Sequence, residues 1–150
     1  QAEAIAVNLR EMSRFGVPIL VVIIGEGGSG GALAMGVGNR IFMLRNSVYS
    51  VISPESCAAI IYRDASEAEA AAAALRLDAP SLLGFGLIDG IVEEPGEGAH
   101  TDYDQAAASL KATLVSALAE LSPLSPEQLI NERYEKFRRM GNFFDEASAV

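Results

Sequence analysis

Tryptophan is absent, and cysteine and histidine occur once each, as Cys57 and His100, in a chain of 150 residues. A single thiol excludes an internal disulfide and agrees with a reducing, cytoplasmic compartment. One cysteine and one histidine are too few to build a zinc site from this chain alone. Cations are scarce as well: 11 Lys and Arg against 20 Asp and Glu give a formal charge of -9. That balance repels nucleic acid and anionic lipid, so neither is expected as a partner of this chain. Long apolar runs are missing. The longest, Val17 to Ile24, contains Pro18 and falls well short of the ~18 residues that would suggest a membrane span. The chain opens on Gln1 without an initiator methionine or a basic, apolar leader, so it is expected to begin inside a longer natural protein.

What is present suits one globular domain. Half of the residues are hydrophobic and 21% are charged, which permits a packed core. A globule of this length hides roughly 70% of its unfolded surface, enough to stand without staples. Residues 1–15 read as a helix with Ile5, Leu9 and Met12 on one stripe, stopped by Gly16 and Pro18. Ile19 to Ile24 is a continuous, mostly β-branched run, the pattern of a strand covered on both faces in a parallel sheet. After a glycine-rich stretch, a short helix over 31–37 and strands over 40–44 and 48–52 are expected. Ser53-Pro54 predicts a helix from Pro54 to Tyr62. Ser66 and Glu69 suggest a capping box for an alanine-rich helix ending at Leu75. Pro80 starts another short helix, Leu87–Val92 reads as an edge strand, and Glu93–His100 as a loop dividing a core (1–98) from a helical region (99–150). That region holds a helix over 104–121 with Leu110, Leu114, Leu118 and Leu121 on one face. A second helix, capped at Ser125, carries Ile130, Tyr134 and Phe137, with Arg133, Arg138 and Arg139 on a solvated side. No internal repeat is visible, and the tail Asn142–Val150 is expected to fray.

Function concentrates in Gly25-Glu26-Gly27-Gly28-Ser29-Gly30-Gly31-Ala32, between a buried strand and a helix start. Glycines there bring bare backbone N–H groups close to a ligand, and those N–H groups are the unpaired donors of a helix N-terminus. They favour an anion or an oxyanion. Four readings compete. Gly25-x-Gly27-x-x-Gly30 matches a dinucleotide fingerprint, but the next helix is short and no ribose-binding acid follows the next strand; a phosphate-binding loop of the Walker type lacks its lysine. Gly27-x-Ser29-x-Gly31 matches a nucleophile elbow, in which Ser29 would need His100 and Asp78 or Asp89. The glycines can also serve helix-on-strand packing alone. Beside them, Glu26 reads as a charge favouring the helix start, Cys57 as a buried structural thiol, and Tyr49 as a core residue.

The fourth reading is a resemblance. Ala4-Ile5-Ala6, Asn8 to Arg14, Gly16-Val17-Pro18 and Gly25 to Ala34 resemble the α-subunit family of bacterial acetyl-CoA carboxylase carboxyltransferases. The likeness continues through Tyr49 to Glu55, Leu87-Ile88-Asp89, Gly98-Ala99-His100, Ala107 to Lys111 and Arg133-Tyr134. It implies an α/β, crotonase-like (ClpP/crotonase) fold of stacked ββα units with a C-terminal helical arm. It also implies transfer of a carboxyl group from carboxybiotin, on its carrier protein, to acetyl-CoA, giving malonyl-CoA for fatty-acid synthesis. The implied partners are a carboxyltransferase β subunit in an α2β2 heterotetramer, the biotin carboxyl carrier protein and biotin carboxylase, with zinc only in the β subunit. The implied catalytic groups are the backbone amides of Gly30 and Gly31 as an oxyanion hole. Gly27, Gly28 and Ser29 would shape the carboxybiotin loop. Two alternatives stay open: a non-catalytic assembly fragment of the same fold, and a serine hydrolase using Ser29.

Overall fold

A computed structural model describes residues 2–141; the expected fraying of 142–150 lies outside the described residues. Helix α1 (Ala2–Ser13) leads into strand β1 (Leu20–Ile23), then β2 (Glu26–Gly28) and helix α2 (Ser29–Met35). The same order follows at once in β3 (Arg40–Leu44), β4 (Val48–Ser50) and α3 (Pro54–Ile61). The two ββα units stack in register: β1 pairs with β3 and β2 with β4, both in parallel. Each unit therefore gives one strand to each sheet. The repeat is structural, and the sequence conceals it because the two units share the order of elements but neither their connection lengths nor their side chains. Next come α4 (Ala68–Leu75), α5 (Ala79–Gly84) and β5 (Gly90–Val92), the last pairing parallel to β3 to complete the order β1-β3-β5. Helices α6 (Tyr103–Leu121) and α7 (Pro126–Arg138) close the chain.

Strand β3 is the centre of the core. Its odd residues Ile41 and Met43 join Ile23, Ala79, Leu82 and Ile88 on the face covered by α5. Its even residues Phe42 and Leu44 join Val92 and Ala117 on the face covered by α6. Cover on both faces explains why the strand carries no alternation of polar residues. Strand β1 is covered the same way, with Val21 and Ile23 on one side and Leu20 and Val22 on the other. It lies at the sheet edge among the described residues, so only Ile23 is fully buried and Ile24 is 69% exposed.

Local sequence rules account for most boundaries. Ser53 accepts from the Ser56 N–H to start α3, Asp78 accepts from the Ser81 N–H to start α5, and Ser125 with Gln128 completes a reciprocal capping box on α7. Four expectations need correction. The Ser66–Glu69 box does not form: Asp64 accepts from the Ser66 N–H and caps a single 3₁₀ turn, and α4 starts after it. The acid two residues upstream reaches that amide first. Strands β4 and β5 are shorter than the apolar runs that contain them, because pairing stops at Ser50 and begins at Gly90. On α6 the buried positions are Ala117 and Leu121, whereas Leu118 is 47% exposed, one step off the stripe. On α7 the buried side is Leu129 and Arg133, not Ile130, Tyr134 and Phe137.

The correction at Arg133 matters most. This arginine is 1% exposed. Its guanidinium donates to the carbonyls of Met12 and Ser13 at the end of α1, and to those of Phe15 and Val17 in the link to β1. It also donates to Oδ1 of Asn39, which is itself fully buried. Asn39 accepts from the Ile19 N–H as well, and its amide donates to the Leu129 carbonyl and to Glu132. No buried side-chain polar atom is left unpaired among the described residues. A guanidinium has five donors in a fixed fork and survives burial when each finds an acceptor. Desolvation still pulls its pKa down from the ordinary value.

Candidate functional site

The glycine segment turns the chain from β1, through β2, into the first turn of α2. Gly28 is extended (φ −134°, ψ 147°) and occupies the N-cap position, where it has no side chain to satisfy the N–H groups of the first turn. Those groups belong to Ser29, Gly30 and Gly31 and have no acceptor within their own helix. No acid lies in that turn. Glu26 sits instead in β2 with its side chain exposed, so it is not the helix-start charge that its spacing suggested. Ser29 adopts φ +53°, the left-handed region that side chains other than glycine rarely enter.

A Cβ placed on each glycine separates two kinds of position. On Gly27 it would lie 2.9 Å from the Tyr49 ring and 3.4 Å from Ile23, and on Gly36 it would collide with the Tyr49 hydroxyl. Tyr49 thus lies across the two glycines, with its hydroxyl donating to the Ala32 carbonyl at 3.4 Å. Burial raises the Tyr49 pKa, so the group stays protonated and can keep that role. On Gly30 the added atom would lie 3.0 Å from the tip of Ile5 on α1. These positions are glycine because neighbours fill the space. Gly25, Gly28 and Gly31 are the opposite: nothing stands within 4 Å, and none has a positive φ. Neither packing nor backbone conformation within this chain requires glycine there. Packing within this chain accounts for two of the motif's five glycines, Gly27 and Gly30, and not for the other three.

Two depressions flank the turn. One, of about 650 Å³, runs along the outer side of β1 to Gly25, Gly28, Gly31 and Met35. The other, of about 630 Å³ and mostly apolar, holds Ser29 and Gly30 at one end and runs past Leu9 and Leu33 to Phe137. The first turn of α2 is the ridge between them, and its amides are the polar groups of that ridge. An oxygen carrying negative charge is the chemical complement of such donors in an apolar setting.

The other sequence candidates lie elsewhere. Asp78 is engaged in capping α5 through Ser81, and its pKa is lowered by those hydrogen bonds. Asp89 accepts from the Ile41 N–H and from Lys136. His100 is exposed, beside Gly98 in a 3₁₀ turn. The relay of acid, histidine and Ser29 is therefore not assembled in this chain: both acids are committed to other partners. Cys57 is half-buried in α3 rather than fully buried. Sequence reasoning missed Asn39 and placed Arg133 on a solvated side, whereas both are buried. The only signal was a lone asparagine directly before an apolar strand, which is compatible with many surface turns.

Comparison with known proteins follows the same geometry. A family model described as "Acetyl co-enzyme A carboxylase carboxyltransferase-like" matches residues 1–141. The chain is 54% identical over 143 residues to the acetyl-coenzyme A carboxylase carboxyl transferase subunit alpha of Sorangium cellulosum, covering 95% of this chain and 45% of that protein. It is 57% identical to the corresponding subunit of Thermosynechococcus vestitus, covering 95% of this chain and 44% of that protein. The chain thus spans less than half the length of these relatives. Among solved structures, a Pseudomonas malonate decarboxylase hetero-tetramer in complex with coenzyme A superimposes with a TM-score of 0.63 at 24% identity, over 99% of this chain and 54% of that one. The transcarboxylase 12S hexamer core gives 0.63 at 17% identity, over 94% and 24%. The fold is α/β and crotonase-like, as the resemblance implied.

Proposed function

This chain belongs to the acetyl co-enzyme A carboxylase carboxyltransferase-like family, and on that premise we propose that it carries the carboxybiotin side of a carboxyltransferase site. In this reading a carboxyl group passes from carboxybiotin on its carrier protein to acetyl-CoA. The catalytic assembly is an α2β2 heterotetramer, with zinc confined to the β subunit and biotin carboxylase recharging the carrier. One observation carries the proposal: Gly25, Gly28 and Gly31 leave open space in front of the unpaired amides that begin α2. Bare backbone at that point has a use if another molecule must come close.

Carboxybiotin supplies the carboxyl group, and negative charge collects on its ureido oxygen as that group departs. The chain's own part is electrostatic. The N–H groups of Gly30 and Gly31 sit at the positive end of a helix and are aimed before the ligand arrives, so no reorientation is needed as charge develops. A preorganised donor of this kind is worth about 2.7–4 kcal/mol in the transition state. Gly28 keeps the approach clear. Gly27, through Tyr49, holds the floor of the turn, since its free side is filled by that ring. Ser29 forms the bend itself at φ +53°. The donor set needs no ionisable group in the chain.

The test is reconstitution with a β subunit and a carboxylated carrier, measuring malonyl-CoA formation for the wild type and Gly30→Val. Transfer by the wild type and its loss in the variant, with assembly intact, supports the proposal. Because the chain spans less than half of its relatives' length, the second reading is an assembly fragment that binds partners without turnover. Background transfer in an assembled wild-type complex would select it.

A further inference from the structure

We infer that Arg133 is a positioning residue for the glycine turn, acting from α7 through α1. The inference rests on the carboxyltransferase reading for its catalytic meaning, but its physical basis is separate. Helix α1 has no fully buried residue; its stripe of Ile5, Leu9 and Met12 is only half-buried. A helix held so lightly takes its position from what ties its ends. At its C-terminal end the tie is Arg133, whose Nη1 donates to the Met12 carbonyl at 2.8 Å and the Ser13 carbonyl at 3.2 Å. Its Nη2 donates to the carbonyls of Phe15 and Val17 at 3.0 and 3.1 Å. These carbonyls belong to a helix end and its exit, Met12 also accepting from the Phe15 N–H, and a cation placed there complements the helix dipole. Arg133 in turn is fixed by Asn39, which is bound to the start of β1 through the Ile19 N–H and to α7 through the Leu129 carbonyl.

The other end of this path is the site. Ile5, near the opposite end of α1, points its tip at Gly30, 3.0 Å from where a Cβ would stand. Leu9 lines the apolar depression that ends at Ser29 and Gly30. Helix α1 is therefore one wall of the turn that carries the proposed donors. It packs directly on α2, and its far end is tied to α7 by a single buried guanidinium. A lysine supplies a point charge and cannot span four carbonyls and an amide oxygen, so Arg133→Lys should loosen α1 without removing the charge.

Hydrogen exchange of the whole chain reads this directly. In Arg133→Lys, the hydrogen-bonded amides of residues 6–13 in α1 and of 33–36, which bond back onto the turn of α2, are expected to exchange at least about tenfold faster, with α6 unchanged, as in local opening. Arg133→Met should extend the same pattern, and Ile5→Ala, which leaves the guanidinium untouched, should loosen 33–36 alone. In the assembled transferase, Arg133→Lys and Ile5→Ala should lower kcat about tenfold with KM for the acyl acceptor unchanged, as expected when only transition-state positioning is lost. Uniform acceleration across the chain would overturn the inference, leaving a general stability role. So would unchanged exchange at 33–36 in both Arg133→Lys and Ile5→Ala, or a kcat that stays at the wild-type level. If the assembled wild type shows no transfer, the functional reading falls, and the exchange pattern still decides whether α1 couples Arg133 to the turn.

Discussion

Replacing Gly31 with alanine should make the protein more stable and less active at once. Gly31 lies in the first turn of α2, and a Cβ there meets nothing within 4 Å. The methyl group creates no clash, and alanine loses less backbone freedom on entering a helix, a gain of about 0.5–1 kcal/mol. For a chain of this size each kcal/mol moves the melting temperature by roughly 2–4 °C, so a rise of about 1–4 °C is expected. The same methyl occupies the approach to the amides. If it displaces the ligand from one N–H, transfer falls by about 10²–10³-fold. Gly27→Ala is the control of opposite sign. Its Cβ would lie 2.9 Å from a ring carbon of Tyr49 and 3.4 Å from Ile23, an overpacking cost of about 1–3 kcal/mol. Calorimetry of the two variants and transfer by the assembled complex read both quantities. A Gly31→Ala protein that melts lower, or that transfers at the wild-type rate, would refute the division of the motif into packed and open glycines.

Further outcomes follow from single residues. Ser29→Gly removes a non-glycine residue from φ +53° and should stabilise the turn by about 1 kcal/mol, with carboxyl transfer retained; complete loss of activity would restore a nucleophilic role for the hydroxyl. Asn39→Ala strands the Arg133 fork and the Ile19 N–H in the interior, a loss of about 2–4 kcal/mol visible as a lowered urea midpoint with unchanged slope. Asp78→Ala removes the cap of α5 and should cost about 1 kcal/mol at neutral pH. The pH dependence of that difference has a defined sign. The folded Asp78 carboxyl titrates below its ordinary 3.8 because of hydrogen bonds from Ser81, so the unfolded chain binds more protons in that interval. The advantage of the wild type over Asp78→Ala is fully present above 3.8 and declines as the pH falls through the folded value. A difference that grows on acidification would contradict this.

The parts of the fold that local chemistry decides were readable before any coordinates. Pro54, Pro80 and Pro126 each follow or adjoin a side chain that caps the helix they start, and all three helices form there. The apolar runs at 19–24 and 40–44 become β1 and β3, because only cover on both faces tolerates such runs. What escaped the sequence is of two kinds. The capping of the turn at Ala65 by Asp64 is a local contest with Ser66, two residues on. The burial of Arg133 depends on a distant partner, Asn39, 94 positions away. An arginine beside Glu132 and near two further arginines has the pattern of a wet surface, and only Asn39 with the carbonyls at and beyond the end of α1 turns it inward. The glycine motif stands out in the sequence, but the sequence treats its glycines alike. Tyr49 and Ile5 are what separate those that pack from those that stay open.

The most direct test watches the amides themselves. In the assembled transferase containing ¹⁵N-glycine-labelled chain, titration with biotin methyl ester should move the Gly30 and Gly31 amide protons downfield, as a ureido carbonyl accepts from them. The amides of Gly38, bonded to the Gly36 carbonyl, and of Gly90, in β5, should stay in place. Shifts confined to other glycines, or a saturating titration that leaves Gly30 and Gly31 unmoved, would contradict the account.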